Sequence, residues 1–295
     1  MPETLHVDAF QMRIADIVDV DLGQLHALSM AVGWPHRAED WQCLRELGHG
    51  VVALDEIGRV MGSAMWFPHG ESFATLGMLI TSPRLQTNGT AKWLMQRVLA
   101  GCPGTRFRLN ATRAARRLYR SLDFVAQRTV FQCQGRAHTP ERTDDLADGH
   151  ALRPLHAGDL DAVIAFDTPG FAVPRPLHLI RLFEDSLCYG LFRGEELRAY
   201  SMSRAFGRGH VLGPIAAFSV DDAIAVARPH VDAHIGRFLR IDTHIESGPF
   251  SSFIQQCGLP VFDTVTTMTL GEGVDYGQAG EESAALFALA SQSIG

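Results

Sequence analysis

Apolar and polar positions along the chain change period several times, and each change predicts a different element. Apolar runs around a glycine turn, as in "GVVALDEIGRVMGSAMW", predict paired strands, whereas "AKWLMQRVLA" has the three- and four-residue apolar spacing of a helix. The pattern predicts strand, helix, helix, three strands, helix, strand, helix and strand, and it predicts this order twice. Such an order indicates an α/β fold with a mixed sheet and helices on both of its faces.

The two halves of the sequence repeat one another. "ATLGMLI" resembles "HVLGPIA" with Gly77 against Gly213, 136 positions later, and "RFRLNAT" matches "FLRIDTH" with Asn110 against Asp242, only 132 positions later. The offset falls because the first half has the loop "TSPRLQTNGTAKW" where the second has only "AFSVDDAIAV". The repeat indicates two tandem domains, of which the second has lost one loop.

Domain boundaries follow from this repeat. We predict domains 1–140 and 141–295, joined by a polar linker at Gly135–His150. The segment "EESAALFALASQS", close to the end of the sequence, predicts a final helix. Because 46% of the 295 residues are hydrophobic, each domain has enough apolar material for a core of its own.

Charge and composition exclude several functional classes. A formal charge of −7 without a run of basic residues argues against nucleic-acid binding. The start "MPETLHVDAF" lacks the features of a secretory signal, and no window reaches the ~18 apolar residues of a membrane span, so we expect a cytoplasmic protein. The five cysteines form no C-x-x-C pair, and we interpret His230 and His234 as surface histidines without a third ligand. We therefore expect reduced thiols and no metal.

The loop "LQTNGTAKW" carries the first candidate chemistry. Gln86, Gly89 and Ala91 form a Q-x-x-G-x-A spacing between a predicted strand and a predicted helix. A helix that begins after a glycine turn presents unpaired backbone N–H groups and the positive end of its dipole, which suit a pyrophosphate. The spacing is also compatible with an ordinary polar turn, and the motif alone leaves both interpretations open.

The first half resembles the Gcn5-related N-acetyltransferase (GNAT) superfamily in the strand "LGMLITSP", this loop and the later "LYRSLDF". The resemblance implies two tandem GNAT-like domains, each a mixed, largely antiparallel twisted sheet flanked by helices, with acetyl-CoA as cosubstrate. It implies that the loop binds the pyrophosphate of acetyl-CoA, and that a strand and a neighbouring asparagine bind the rest of the molecule. The implied cofactor-binding residues are Met78, Leu79, Ile80, Gln86, Thr87, Asn88, Gly89, Thr90, Ala91 and Asn110.

The sequence departs from the family pattern at two places. The loop has Thr87, Asn88 and Ala91 where family members often have Q-G-R-G-x-G, so a charge-assisted phosphate contact is missing. Asp123 replaces the glycine that usually follows the tyrosine segment, where a helix is expected to end.

Catalytic and acceptor residues also follow from the resemblance. Tyr119 is the predicted general acid for the leaving thiolate, the alternative being a core aromatic. Glu71 is the candidate general base, the alternative being a solvated turn residue. Trp34, Glu39 and Trp41 are candidate walls of an amine pocket, the alternative being a helix start packed by two core tryptophans.

These features predict direct transfer of an acetyl group from acetyl-CoA to an amine on a small molecule or peptide. A catalytically inactive acyl-CoA sensor and a purely structural scaffold are the alternatives. The second half has Asp221 and Asp222 in place of the loop and Ile254 opposite Tyr119, so we expect it to bind no acetyl-CoA. The sequence leaves a homodimer open.

Overall fold

The structure is a computed structural model that describes residues 4–7, 10–85, 89–104, 106–140, 146, 148–272, 276–277 and 283–295. Over these residues, no helix is both long enough and apolar enough to cross a membrane.

The first half follows the predicted order of elements. Its strands are β1 (Thr4–Val7), β2 (Phe10–Asp16), β3 (His49–Leu54), β4 (Val60–His69), β5 (Phe73–Thr81), β6 (Arg106–Ala111) and β7 (Val125–Arg136). Its helices are α1 (Leu22–Ala31), α2 (Ala38–Leu47), α3 (Thr90–Gly101) and α4 (Arg116–Arg120).

The second half repeats this order and adds a strand. Its strands are β8 (His150–Pro154), β9 (Leu187–Arg193), β10 (Glu196–Phe206), β11 (Gly209–Ala217), β12 (Phe238–Thr243), β13 (Val261–Leu270) and β14 (Ala285–Ala288). Its helices are α5 (Leu160–Phe171), α6 (Pro176–Glu184), α7 (Val220–Ala233) and α8 (Pro249–Gln256). The order that the sequence predicts for each half, from β2 to β7 and from β8 to β13, is confirmed.

The strands form one continuous sheet in the order β1-β2-β3-β4-β5-β6-β13-β7-β12-β11-β10-β9-β8, with β14 beside β11. The pairs β5–β6 and β11–β12 are parallel, and the other pairs are antiparallel. The halves exchange strands at the centre, because β13 of the second half lies between β6 and β7 of the first half. Conversely, β7 of the first half pairs with β12 of the second. The sheet is therefore completed by both halves together.

Helices cover both faces of this sheet. On one face, side chains from both halves share a core, in which Leu25 and Trp41 belong to the same cluster as Leu179 and Tyr200. On the other face, α3 and α4 cover the first half and α7 and α8 cover the second, each with a separate cluster. This apolar burial on both faces stabilises the continuous sheet.

Two sequence predictions are wrong. Over residues 283–295 there is no helix, since Ala285–Ala288 form β14 against β11 and residues 292–294 form a turn. His230 and His234 are buried rather than on the surface, and His230 Nε2 lies 2.9 Å from the hydroxyl of Ser201. α7 packs on β10 and β11, which places His230 against Ser201 and His234 against His210.

Candidate functional site

A gap opens in the sheet where the parallel strands β5 and β6 diverge. They pair only from Phe73 to Leu76 of β5, and beyond that point β5 contains a bulge against β4. Met78 in the bulge has φ of 51°, a left-handed conformation that non-glycine residues rarely adopt. The buried hydroxyl of Ser63 donates a hydrogen bond of 2.8 Å to the Met78 carbonyl and thereby holds the bulge. A bulge removes backbone groups from the strand ladder and can redirect them toward a ligand.

A cavity of about 300 Å³ lies at this gap. Residues from both halves of the chain line it. The first half contributes Gly33, Trp34, Pro35, His36, Leu76, Gly77, Met78, Leu79, Asn110, Thr112, Ala115, Tyr119, Gln132 and Gln134. The second half contributes Phe206, Gly207, Arg208, Phe238, Arg240, Phe262, Asp263, Ser291, Gln292 and Ser293. The cavity is thus a composite of the two halves.

Tyr119 lines the cavity from α4. Its ring is buried and packs edge-on against Phe124 at 5.7 Å, and burial raises the pKa of its phenol. The phenol is therefore protonated at neutral pH and is available as a proton donor. Asp123, at the position where the family has glycine, adopts φ of 64°, so the chain makes the left-handed turn without glycine.

Among the described residues, α3 begins at a glycine. Gly89 is the N-cap residue, has φ of 81°, and supplies no side-chain cap for the first-turn N–H groups. A Cβ at Gly89 would meet no atom within 4 Å. Thr90 and Ala91 follow in the first turn of α3, where Thr90 is buried and Ala91 is half-buried. Gln86, Thr87 and Asn88, which the sequence assigns to the same loop, lie outside the described residues.

Asn110 lines the cavity, but its amide contacts the protein. Its Nδ2 donates to the carbonyl of Gln292 at 2.9 Å, and its Oδ1 accepts from the hydroxyl of Thr267 at 2.7 Å. Asn110 therefore connects β6 to β13 and to the segment after β14. The sequence also assigns three residues of β5 to acetyl-CoA binding. Of these, Met78 and Leu79 line the cavity, whereas Ile80 is buried and does not line it.

Of the three acceptor residues predicted from the sequence, only Trp34 lines the composite cavity. Trp34 lines the cavity and stacks edge-on against His36. Trp41 is fully buried and donates its Nε1–H to Ser29 Oγ at 2.8 Å, so it is a core residue. Glu39 is exposed and lines a second cavity, of about 340 Å³, which adjoins the first at Phe206 and Ser291.

Glu71 lies far from this cavity. It is exposed in the turn between β4 and β5, beside Phe73, where β5 begins. Met78 lies five residues beyond Phe73 along β5, a distance of roughly 16 Å at the usual rise per residue. The structure therefore does not bring Glu71 together with Tyr119 and the β5 bulge. The described titratable residues on the cavity wall include His36, whose pKa burial lowers to about 4, and Asp263.

The second half closes the cavity through a turn held on α2. The N–H of Gly207 donates to the buried carboxylate of Asp40 at 2.9 Å, and Arg37 Nη2 donates to the carbonyl of Ala205 at 3.0 Å. These bonds fix the β10–β11 turn over the α1–α2 loop, and Phe206 packs its ring edge-on against His36 at 5.5 Å.

Polar side chains of the exchanged strands form the floor of the cavity. In the sheet register, Gln132 of β7 faces Asp242 of β12 on one side and Asp263 of β13 on the other, and Gln134 faces Arg240. Sequence reasoning missed these residues. Its available signal was the alternation of polar and apolar residues in "FQCQ" and "LRID", which places polar side chains on one face of central strands.

The segment after β14 connects the two halves of the sheet. In the second half, β11 and β12 pair only at His210–Val211, and β14 lies in the gap beyond. Thr243 Oγ1 donates to the carbonyl of Phe287 at 2.6 Å, and Leu289 N donates to the carbonyl of Asp242 at 2.8 Å. The chain's own strand therefore fills the position that corresponds to the β5–β6 gap. Further along, Ser293 packs on Gly77 in the first half.

Comparison with known proteins agrees with this architecture. Two family profiles, both described as an acetyltransferase (GNAT) domain, match residues 37–143 and 163–278, which together exceed half of the chain. No curated protein sequence matches the chain significantly.

Solved structures with the same fold span the whole chain. A candidate acetyltransferase from Pyrococcus horikoshii is 15% identical, with a TM-score of 0.79 over 100% of this chain and 99% of its own. A tandem GNAT protein from the clavulanic acid biosynthesis pathway is 13% identical, with a TM-score of 0.64 over 90% of this chain and 99% of its own. A GCN5-related N-acetyltransferase from Sphaerobacter thermophilus is also 13% identical, with a TM-score of 0.61 over 90% and 97%.

Proposed function

The chain belongs to the GNAT superfamily as a tandem member, and from that premise we propose that it transfers the acetyl group of acetyl-CoA to an amine. The acceptor is an amine-bearing small molecule or peptide, and the reaction takes place in the composite cavity. The observation that carries the proposal is that the β5 bulge and a buried, protonated tyrosine lie on the wall of one cavity.

Three features support acetyl-CoA as the donor. The open amino end of α3 offers backbone N–H groups and dipole charge to the pyrophosphate. The gap between β5 and β6 gives the pantetheine arm a place to lie beside a strand edge. The bulge at Met78 and Leu79 offers backbone groups to the thioester carbonyl, whose oxygen gains negative charge during transfer.

Direct transfer requires two proton movements. The amine nitrogen attacks the thioester carbonyl carbon, a C–N bond forms, and the C–S bond breaks as the thiolate leaves. Tyr119 supplies the proton that the thiolate gains, because its phenol is protonated at neutral pH and lies on the cavity wall. The amine loses one proton to a base, directly or through water.

Glu71 remains the base that the sequence suggested, but its position on the far end of β5 does not support that role. His36 and Asp263 are the alternatives that the cavity offers. His36 is neutral at pH 7, and Asp263 is the carboxylate among the described cavity residues.

Calorimetric titration with acetyl-CoA, followed by an acceptor screen that detects free CoA thiol, tests the proposal. We expect saturable binding of acetyl-CoA and release of CoA that depends on an amine. Binding without turnover of any amine would favour a sensor, and absence of binding would contradict both the enzyme and the sensor.

A further inference from the structure

Three glutamine side chains in the floor of the composite cavity, those of Gln292, Gln132 and Gln134, form a hydrogen-bonded series whose orientation is fixed at one end. Asp242 is fully buried and accepts hydrogen bonds from Arg240, with distances from 2.9 to 3.1 Å. As the carboxylate partner of a guanidinium, Asp242 presents only acceptor oxygens to its other neighbour, Gln292.

This carboxylate determines which way each amide faces. Gln292 Nε2 donates to Asp242 Oδ1 and to Gln132 Oε1, both at 3.1 Å. Gln132 must then donate with its own Nε2, and the amide does so to Gln134 Oε1 at 2.8 Å. Turning Gln292 over would place its oxygen against a carboxylate oxygen, which is repulsive, so the polarity of the whole series is set by Asp242.

Two hydrogen-bonding atoms are left over at the ends of this series. Gln292 Oε1 is an acceptor and Gln134 Nε2 is a donor, and neither has a protein partner in the described part of the structure. Both residues line the cavity. Both atoms are accessible to water, and a bound molecule can replace that water and be oriented by the two groups.

The walls above the floor are apolar and aromatic. Trp34, Phe206, Phe238 and Phe262 line the same cavity, and Phe262 is 66% exposed at a bulge of β13. An aromatic wall of this type favours a ligand with an apolar body.

We propose that the cavity selects primary amines that carry an apolar body and an oxygen that accepts a hydrogen bond. Gln292 Oε1 accepts an N–H of the amine, and Gln134 Nε2 donates to the carbonyl, carboxylate or hydroxyl oxygen of the same molecule. This inference rests on the proposed acetyl transfer and names the acceptor class of that site. Amino acid amides and amino-terminal residues of peptides meet this description, whereas simple alkylamines do not.

The test compares acceptors with and without the oxygen function, and kcat/KM is referred to the unprotonated amine of each. The two pairs are phenylalanine amide with 2-phenylethylamine, and leucine amide with 3-methylbutylamine. We expect kcat/KM to be about tenfold higher for the amide of each pair, which corresponds to the net gain from one hydrogen bond. In Gln134→Leu this ratio is expected to fall to about one, while calorimetry gives an unchanged acetyl-CoA affinity.

Gln127→Leu is the matched control. Gln127 lies on the same strand β7 but donates to Thr269 Oγ1 at 2.7 Å and is outside the cavity, so its variant is expected to keep the ratio. The inference is overturned if the parent does not distinguish the members of a pair, if it turns over neither, or if Gln134→Leu retains the ratio. Absence of acetyl-CoA binding would instead remove the proposed function on which the inference rests.

Discussion

Tyr119 carries the proposed chemistry at the scale of a single residue. Its phenol lies on the cavity wall and is protonated at neutral pH, and burial raises its pKa further, so it holds a proton that the leaving thiolate can take. We expect Tyr119→Phe to lower kcat by about 10²-fold, the lower end of general acid–base contributions, with little change in acetyl-CoA affinity. Steady-state kinetics and calorimetry measure these two effects separately.

Tyr189→Phe is a suitable control for this variant, because Tyr189 contacts the ring of His230 and does not line the cavity. It is expected to turn over at the parent rate. If Tyr119→Phe also does so, the ring of Tyr119 serves only for packing and another group protonates the thiolate.

Buried histidines make stability depend on pH. Burial lowers the pKa of His178 and of His230 to about 3, with further lowering by Arg175 and by His234, respectively. The unfolded chain takes up a proton at each site below about pH 6.5, whereas the folded chain does so only near pH 3. Stability from these groups is therefore lost as the pH falls from 6.5, by up to ~1.4 kcal/mol per pH unit for each histidine.

Urea unfolding between pH 6.5 and 5 checks this expectation. Removing one such group in His230→Gln should make the dependence on pH shallower by up to one proton, ~1.4 kcal/mol per pH unit. Equal slopes in the parent and the variant would show that His230 does not remain neutral in the folded chain.

At the residue scale, some cavity residues could be predicted from the sequence and others could not. Tyr119, Asn110 and Trp34 could be chosen because a motif or an aromatic segment marked them, and all three line the cavity. Gln134 and Gln292 could not, because 158 positions separate them in the sequence and only the strand exchange brings them together. Trp41 was chosen for its residue type, although tryptophan at such a helix position equally serves a core.

At the scale of elements, local patterns predicted the order of strands and helices but not the last element. "ALFA" is apolar throughout, so its period cannot distinguish a buried strand from a buried helix. The gap between β11 and β12 makes this segment a strand, because Ala285–Ala288 find backbone partners on β11 there. The local sequence cannot predict a gap between two distant strands, and the pairing that this gap allows overrides the helical pattern.

The amino end of α3 gives a prediction for an element. Gly89 and Gly58 have nearly the same positive φ, 81° and 79°, and a Cβ at either would meet no atom within 4 Å. Replacing either by valine should therefore cost similar backbone strain, about 1–2 kcal/mol. Only Gly89→Val should also weaken acetyl-CoA binding, because of the two glycines Gly89 alone begins α3, the helix that we propose to bind the pyrophosphate.

Thermal unfolding and calorimetry of the two variants separate strain from ligand binding. Gly58→Val, in the β3–β4 turn, shows what strain alone does. An unchanged acetyl-CoA affinity in Gly89→Val would refute the phosphate assignment of this loop.

At the scale of the whole molecule, the repeat in the sequence predicted two similar halves but not their exchange of strands. A boundary near residue 140 divides the repeat, yet β13 lies between β6 and β7 across that boundary. A fragment of residues 1–140 would lose β13 and expose two long unpaired strand edges, so separate halves are unsuitable for assigning ligand sites. The intact chain has to be used.

The number of acetyl-CoA sites is the property that the whole architecture determines. In the first half, the gap beside β5 is a cavity and α3 begins at an uncapped glycine. In the second half, β14 fills the equivalent gap, and Ser219 caps α7 by accepting from the N–H of Asp222 at 3.1 Å.

The two acidic residues in the first turn of α7, Asp221 and Asp222, further disfavour an anion at that helix end. We therefore expect calorimetry of the intact chain to give one acetyl-CoA per chain, and Gly89→Val to remove that single site. A second molecule is not expected, because it would have to displace β14 from its hydrogen bonds with β11 and with Thr243. Two sites per chain, or one site that survives in Gly89→Val, would therefore contradict this assignment. Under this assignment, the second half acts through the walls and floor that it contributes to the composite cavity, rather than through a cofactor of its own.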